Sequence, residues 1–355
     1  MAGGGGTRLR PLSTAARPKP FLPLLPGGET LLARTVARLR GPELGSVPDI
    51  AVVVSRAWAP LVAAQVPGVR IVVEPVGRNT AAAVALAALD GDRDPDAVMV
   101  VLPADHRIDP AREGLFRTVL RAAADGLATG AFGAESPLVT LGVAPSHPSV
   151  DYGYLRPDVD RGADIAGLRA YPLRAFEEKP DAARAAGLVA MPGVAWNAGM
   201  FLWRRRAIVA ALEAYAPEVV DGVRRGLAAD DLDTAYGALP GLSIDYAVME
   251  PAAAAGEVVM AAMDVGWTDV GTWPALLEVL GAAGIDGGVV EAGAEAVTVA
   301  GDLVVERGPS GPAGREAAEG TIRPNEPVAL LHRARDARAI VQALLDRCAA
   351  SEARA

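Results

Sequence analysis

The chain reads Val98-Met99-Val100-Val101-Leu102-Pro103-Ala104-Asp105-His106, an apolar run that ends at an acidic residue. A continuous run of this kind is typical of a strand that is buried on both faces of a sheet. In α/β sheets, ligands bind in the crevice beyond the carboxyl ends of the strands. We therefore predict a buried strand here and a ligand-binding role for Asp105, which follows it.

Three similar apolar runs occur elsewhere, and segments with helical spacing separate them. The further runs are Ile50–Val54, Val69–Val73 and Leu138–Val143. Apolar residues at helical spacing are found over Leu31–Leu39, Thr80–Leu89 and Leu115–Leu127. Because strand and helix alternate along the chain, we predict an α/β fold with a Rossmann-like, mostly parallel sheet.

The pattern changes twice along the chain. Between residues 144 and 263 it loosens into hairpin-like pieces and short helices, which we interpret as an insertion that completes a pocket. After residue 280, several glycines and then short β-like runs replace the pattern of hairpins and short helices. We therefore predict one large domain over residues 1–280 and a small β-rich region over residues 285–350 that ends in an amphipathic helix.

Composition excludes several classes of protein. The chain has 355 residues and a formal net charge of -9, and this acidic balance argues against a nucleic-acid partner. With 51% hydrophobic and 22% charged residues, the chain is able to bury a core. The single cysteine, Cys348, forms no internal disulfide, and no apolar segment suits a signal peptide or a membrane span. We therefore expect a cytoplasmic protein without a membrane partner.

Lysine is rare in this chain. Lys19 and Lys179 are the only lysines among the 34 basic residues, and both lie beside prolines, in segments typical of turns or strand ends. Lysine carries a compact charge that approaches a single phosphate oxygen without the planar fork of arginine. We interpret both lysines as functional residues suited to phosphate. The alternative is that they are two solvated surface residues.

The amino-terminal segment is rich in glycine and suits a polyphosphate ligand. The run Gly3-Gly4-Gly5-Gly6-Thr7-Arg8 offers unobstructed backbone N–H groups, a hydroxyl and a guanidinium. It lacks the Lys-Ser/Thr pair of a P-loop and the preceding strand of a dinucleotide fingerprint. A flexible tail is the alternative. Arg8 and Lys19 together would supply two cations to neutralise phosphate charge.

Two acidic residues are candidate ligands of a divalent cation. Asp105 follows the strand described above, and Asp269 lies among glycines in Gly266–Trp273. Mg²⁺ usually takes one or two protein carboxylates and completes its octahedron with substrate phosphates and water. The pair therefore predicts a Mg²⁺ site. The alternative for Asp269 is a cap on a helix that begins near Trp273.

Two asparagines mark further candidate binding positions. Asn79 is placed to cap the helix that follows Glu74–Thr80, and it also suits contact with a base or a ribose. Asn197 lies between a tryptophan and a glycine, which suits sugar hydroxyls, and a core hairpin is the alternative. With three histidines in the chain and no Ser or Cys nucleophile motif, we assign His106 no acid/base role.

Seven segments occur in the order found in sugar-phosphate nucleotidyltransferases, and residues 1–280 most closely resemble the mannose-1-phosphate guanylyltransferases. These segments are Gly3–Leu24, Glu74–Thr80, Leu102–His106, Phe176–Pro180, Trp196–Phe201, Ser243–Glu250 and Gly266–Trp273. The resemblance implies a nucleotidyltransferase domain that transfers GMP from GTP to mannose 1-phosphate and gives GDP-mannose and pyrophosphate. It further implies Mg²⁺-dependent in-line attack without a covalent intermediate.

The resemblance also implies roles for individual residues. The implied catalytic residues are Arg8, Lys19, Asp105 and Lys179. The implied nucleotide-binding residues are Gly3, Gly4, Gly6, Thr7, Arg8, Asn79, Thr80 and Asp105. The implied sugar-phosphate-binding residues are Gly153, Glu178, Lys179 and Asn197. The implied Mg²⁺ ligands are Asp105 and Asp269.

Several alternatives stay open at the level of the sequence. Arg10 stands where the mannose enzymes usually have tryptophan, so another sugar 1-phosphate or nucleotide is the first alternative. A non-catalytic nucleotide-sugar-binding paralogue is the second, and the sequence does not decide whether the protein forms a homodimer. Only Met1 and Ala2 precede Gly3, whereas the resembled enzymes have a full strand there, so we expect the true chain to begin several residues upstream.

Overall fold

The computed structural model describes residues 1–3, 9, 12–45, 48–133, 136–271, 275–276, 279–280, 343–348 and 350–351, and the backbone of four short strands between residues 289 and 322. The predicted positions outside this description are Gly4, Gly6, Thr7, Arg8, Arg10, Trp273 and most of residues 285–350. Their roles, and the division into two domains, therefore stay predictions.

The described strands are β1 (Ala51–Ser55), β2 (Arg70–Glu74), β3 (Val98–Val101), β4 (Leu138–Val143), β5 (Tyr154–Pro157), β6 (Ala163–Ile165), β7 (Leu168–Glu177), β8 (Ala195–Arg204), β9 (Val258–Met263), β10 (Val289–Ala292), β11 (Ala296–Val299), β12 (Leu303–Glu306) and β13 (Thr321–Ile322). The α-helices are α1 (Leu31–Arg38), α2 (Ala59–Gln65), α3 (Asn79–Leu89), α4 (Glu113–Thr129), α5 (Ala182–Val189), α6 (Arg205–Tyr215), α7 (Pro217–Ala228), α8 (Leu232–Gly237) and α9 (Glu250–Ala254). The four predicted apolar runs form β1 to β4, and the three predicted helices correspond to α1, α3 and α4. None of the described helices has the length and apolar character needed to cross a membrane.

The α/β fold is confirmed, but the main sheet is mixed rather than mostly parallel. Its seven strands have the order β3-β8-β4-β9-β7-β5, with β6 paired to β7, while β1 and β2 form a parallel two-stranded sheet. Strands β4 and β9 are parallel, whereas β8 is antiparallel to both β3 and β4, and β7 is antiparallel to β9. The difference arises because β7 and β8 belong to the inserted segment, and their direction depends on pairing that is not visible in local spacing. Strands β10 to β13 form a separate sheet.

Helices cover both faces of the main sheet, as strand β8 shows. Phe201 and Trp203 belong to the apolar cluster that contains residues of α3, α6 and α7, whereas Met200 and Leu202 belong to the cluster that contains residues of α4. A strand directs successive side chains to opposite faces in this way. Helix α3 is apolar around most of its circumference, so the stretch Ala81–Leu86 is buried, as expected for such a helix.

A channel of about 770 Å³ separates strand β1 from strand β3. Met1 and Ala2 link the two strands across it, because the Ala2 N–H donates to Val53 O and the Ala104 N–H donates to Met1 O, both at 2.9 Å. Among the described strands, β1 pairs with β2 and β3 pairs with β8, so their facing edges meet no other strand. Val100, which we predicted to be buried, lines the channel and is 39% exposed. The expectation of further residues upstream of Met1 stays a prediction.

Candidate functional site

A pocket of about 350 Å³ is bounded by the loops that follow β2, β3 and β7. Most of the predicted site residues that the structure describes line this pocket. They are Gly3, Asn79, Thr80, Asp105, Gly153, Glu178, Lys179, Asn197 and Asp269. The loops at the strand ends therefore bring together residues that are far apart in the sequence, as is usual for an α/β sheet.

The amine of Lys19 is buried between the two candidate metal-binding loops. Its Nζ lies 2.8 Å from Asp105 Oδ2 and donates to the backbone O of Asp269 at 2.6 Å. The 3₁₀ turn Lys19–Phe21 holds the residue in this place. Because only 5% of its surface is exposed, Lys19 is not a solvated surface residue. Its contact with phosphate stays a prediction.

Asp105 and His106 lie in the loop after β3, and their side chains have different charge states. Burial raises the pKa of the Asp105 carboxyl, but the charge of Lys19, its hydrogen bond and the other nearby positive groups together lower it by more, so the net pKa is below its ordinary value. Burial lowers the pKa of the His106 ring, whose Nδ1 accepts a hydrogen bond from Trp267 Nε1 at 3.1 Å. The loop thus offers an ionised carboxylate and a neutral imidazole at pH 7.

Asp269 reaches the same pocket from the loop after β9. Its Oδ1 accepts hydrogen bonds from the Tyr152 hydroxyl at 2.9 Å and from the Gly271 N–H at 3.0 Å. The next residue, Val270, has a φ of +50°, a strained value for a β-branched residue, and such strain is frequent at functional sites. The alternative role of Asp269, a cap on a helix near Trp273, involves a residue outside the described part of the chain.

Two carboxylates that face one pocket suit a cation that takes its other ligands from bound substrate. In the described part of the chain, no three His, Cys, Asp or Glu side chains are grouped as a metal site. Mg²⁺ commonly binds one or two carboxylates together with substrate phosphates and water. Asp105 and Asp269 therefore fit a Mg²⁺ ion that enters with phosphate, and they do not fit a metal held by protein ligands alone.

Glu178, Lys179 and Gly153 form a second polar group in the pocket. Lys179 Nζ lies 3.0 Å from Glu178 Oε1, and the Lys179 side chain is 55% exposed, so a ligand has access to it. A Cβ on Gly153 would lie 2.3 Å from Glu178 Oε2. Only glycine at this position leaves room for the carboxylate.

Asn197 lies on β8 and holds its amide in a single orientation. Its Oδ1 accepts from the Gly199 N–H at 3.1 Å and from the Thr140 hydroxyl at 2.9 Å. Its Nδ2 donates to Asp245 Oδ1 at 2.9 Å. Asn197 lies in a core strand and also lines the pocket, and its contact with sugar hydroxyls stays a prediction.

Helix α3 begins at the edge of the pocket. Asn79 has a φ of +65°, which asparagine tolerates better than most residues, and its Oδ1 accepts from the Thr80 N–H at 2.8 Å. Thr80 Oγ1 accepts from the Ile244 N–H at 2.8 Å. Asn79 thus satisfies an N–H group at the start of the helix, and Thr80 ties this start to a segment near residue 244.

Several side chains that were not predicted as site residues hold the predicted ones in place. They are Tyr152, Asp245, Tyr246, Glu250 and Trp267. The aromatic residues among them had a signal in the composition, because the chain has only five tryptophans and six tyrosines. Asp245, Tyr246 and Glu250 lie in the segment Ser243–Glu250, whose residues alone are a weak signal because aspartate caps are common.

The nucleotidyl transferase family model matches residues 1–283 of the chain. The mannose-1-phosphate guanylyltransferase of Escherichia coli K12 is 39% identical over 298 residues, and that of Sinorhizobium fredii is 38% identical over 293 residues. These matches cover 79% and 78% of this chain. They cover 58% and 53% of the two relatives, so the chain spans little more than half of their length.

Two solved structures share the fold of this chain. A crystal structure from Thermus thermophilus, described as a mannose-1-phosphate geranyltransferase, is 35% identical with a TM-score of 0.67 and covers 79% of this chain and 78% of that chain. A structure from Helicobacter pylori, described as a mannose-6-phosphate isomerase, shares the fold at 23% identity and a TM-score of 0.59, over 72% of this chain and 95% of its own. Because the family model matches more than half of the residues, the chain belongs to the nucleotidyl transferase family.

Proposed function

We propose that the protein transfers GMP from GTP to mannose 1-phosphate and releases GDP-mannose and pyrophosphate. The proposal depends above all on one pocket that gathers two carboxylates, an accessible lysine and an oriented amide at the strand ends of a nucleotidyltransferase fold. Relatives that bear the name mannose-1-phosphate guanylyltransferase support this choice of substrates.

The proposed reaction needs no general base. A phosphate oxygen of the sugar phosphate is already an anion, and it attacks the α-phosphorus of GTP while pyrophosphate leaves from the opposite side. The protein therefore has to align two anions and neutralise their charge. A neutral His106 in the pocket wall is compatible with this chemistry.

The sugar phosphate would bind at the group around Glu178. Lys179, whose amine is accessible, would bind the phosphate as a compact cation. Glu178 and Asn197 would bind sugar hydroxyls, because a carboxylate and an amide supply complementary acceptors and donors. Gly153 would keep the space that Glu178 needs.

The nucleotide would bind at the start of α3 and at the loops of the two aspartates. Asp105 and Asp269 would hold Mg²⁺, which when bound neutralises phosphate charge. Lys19 would keep these two loops together through its contacts with both, besides its predicted contact with phosphate. The remaining residues proposed to contact the nucleotide are Gly3, Gly4, Gly6, Thr7, Arg8, Asn79 and Thr80.

Pyrophosphate release tests the proposal. With Mg²⁺ and mannose 1-phosphate, we expect release with GTP and little release with ATP, UTP or dTTP. The double variant Asp105→Asn, Asp269→Asn should lose Mg²⁺-dependent turnover and stay folded by circular dichroism, although its unfolding temperature should fall because Lys19 loses its charge partner. Asp264→Asn is the matched control, because the Asp264 side chain is 88% exposed.

Three outcomes would contradict parts of the proposal. Faster release with another nucleotide or another hexose 1-phosphate would replace the substrate assignment. Substantial activity of the double variant would refute the Mg²⁺ assignment. Nucleotide binding by the wild type without pyrophosphate release from any pair would indicate a non-catalytic paralogue.

A further inference from the structure

The π-helical turn that precedes helix α9 directs polar side chains to the Glu178 end of the pocket. Asp245 Oδ1 accepts from the Asn197 amide at 2.9 Å, and the Tyr246 hydroxyl donates to the backbone O of Glu178 at 3.2 Å. Glu250 Oε1 accepts from the Glu178 N–H at 2.8 Å. Turns of this type are frequent at functional sites, and this one contacts two residues proposed to bind the sugar.

The hydrogen bonds of Asn197 decide what Asp245 offers to a ligand. The Gly199 N–H donates and cannot accept, so the Asn197 atom beside it must be the amide oxygen. The amide nitrogen therefore faces Asp245, whose carboxylate also lines the pocket. The two side chains present an acceptor and a donor next to each other.

Glu178 brings a second carboxylate to the lining of the pocket that contains Asp245. Burial and then the charge of Glu178 raise the pKa of Asp245 to about 7, against the opposing effects of Asn197 and Lys179. Two neighbouring acids repel each other when both are ionised, so this arrangement destabilises the empty pocket. A ligand that donates hydrogen bonds to both carboxylates would satisfy them, and sugar hydroxyls are such donors.

We propose that Asp245 is a specificity-determining residue that accepts a hydrogen bond from a ring hydroxyl of the sugar phosphate. Asp245 and Glu178 present two acceptors and Asn197 adds a donor, a pattern that fits neighbouring hydroxyls of a hexose. A site built to hydrogen-bond a hydroxyl rejects an analogue in which that hydroxyl points elsewhere. The proposal rests on the proposed function, because it places the sugar at this end of the same pocket.

Steady-state kinetics of Asp245→Asn and Asp245→Ala test this role. We expect the KM for mannose 1-phosphate to rise by about 10-fold or more and the KM for GTP to stay within about twofold of the wild type. We also expect weaker discrimination between mannose 1-phosphate and glucose 1-phosphate. Asp264→Asn, at an exposed position, should leave both KM values and the discrimination unchanged.

The outcomes separate this proposal from the proposed function. An unchanged KM for the sugar phosphate, or an equal rise of both KM values with a lower unfolding temperature, would overturn the role of Asp245. If the wild type turns over no pair of substrates, the proposed function fails, and calorimetric titration with mannose 1-phosphate alone then tests Asp245. Loss of binding in Asp245→Asn would support the role, whereas equal binding, or no binding to the wild type, would overturn it.

Discussion

The two lysines of the chain lie in opposite environments. Lys19 is buried, with its amine 2.8 Å from Asp105, whereas the Lys179 side chain is 55% exposed. A compact ammonium suits the first position because it contacts a carboxylate and the backbone O of Asp269 at once. Lys19 thus links the two acidic loops, and Lys179 is accessible to a ligand.

We expect Lys19→Arg to lower kcat/KM for pyrophosphate release by about 10-fold or more, because a planar guanidinium does not replace a compact charge in a crowded site. Arg112→Lys is the control, since the Arg112 side chain is 44% exposed, and its kcat/KM should stay within about twofold of the wild type. A near-normal rate for Lys19→Arg would contradict the need for a compact charge.

Gly153→Ala should act mainly on Glu178, with a weaker contact to the Phe176 ring, which would lie 3.3 Å from the added Cβ. The added Cβ would lie 2.3 Å from Glu178 Oε2, so the carboxylate has to move, and we expect the KM for the sugar phosphate to rise by about 10-fold. In the control Gly187→Ala, within α5, no atom lies within 4 Å of the added Cβ. That variant should stabilise the fold by about 0.5–1 kcal/mol at an unchanged KM. The same KM for both variants would argue against the steric cause.

The raised pKa of Asp245 predicts a pH-dependent difference in stability. Its pKa is about 7 in the folded protein against an ordinary value of 3.8, so folding favours the protonated form. The stability that this preference adds is fully present below pH 3.8, the ordinary pKa, and is lost as the pH rises through about 7. Asp245→Asn should therefore gain free energy of unfolding relative to the wild type as the pH rises from about 4 to about 7 in urea titrations. The charged groups near Asp245 are Glu178 and Lys179, with Tyr246 beside Lys179. A difference in free energy of unfolding between variant and wild type that is constant with pH would refute the prediction.

Among the secondary-structure elements, helix α8 is joined to strand β2 by a buried hydrogen bond. The Tyr236 hydroxyl donates to Glu74 Oε1 at 2.7 Å. Burial raises the pKa of the Glu74 carboxyl, and the bond from Tyr236 opposes this shift. Glu74 also lines the pocket, so this hydrogen bond holds a residue of the pocket wall in place.

Tyr236→Phe should lower the free energy of unfolding by about 1–3 kcal/mol, because it leaves a buried carboxylate oxygen without its donor. The chain offers a matched control in Tyr215→Phe, since Tyr215 donates to Glu257 at 3.0 Å on an exposed surface. That change should cost at most about 0.5 kcal/mol. Urea unfolding of both variants measures the difference, and equal losses would contradict the importance of burial.

Local sequence patterns predicted elements better than their pairing. The valine-rich runs form β1 to β4 because burial of a strand is visible in its own residues. The direction of β8 depends on partners elsewhere in the chain, so the mixed sheet was not predictable from spacing. The same limit applies to the site, where Tyr152 and Asp269 are 117 positions apart and Asn197 and Asp245 are 48 apart. The place of Asp105 and Asp269 in the pocket was predictable, because each lies in a recognisable motif, and their role as Mg²⁺ ligands stays a prediction.

At the scale of the whole molecule, the far end of the chain supports the loop that carries Lys19. Residues 343–348 are helical, and Leu344 and Leu345 are buried. Arg347 donates to the backbone O of Leu25 at 2.9 Å, and Arg17 donates to the backbone O of Ser351 at 3.2 Å. The terminal helix therefore contacts the segment on both sides of Lys19.

Strand β4 has hydrogen-bonded neighbours on both sides, whereas β1 and β3 each face the channel with one edge. Amide protons at such an edge exchange with solvent through small local openings, but those inside a sheet exchange only when a larger unit unfolds. In deuterated water, the amides of β1 and β3 should on average exchange faster than those of β4, and equal protection would show that the channel is closed in solution. If β1 and β3 exchange faster, the protein opens first at the two edges that flank Met1 and Ala2, while strand β8, which carries Asn197 and pairs with both β3 and β4, stays protected.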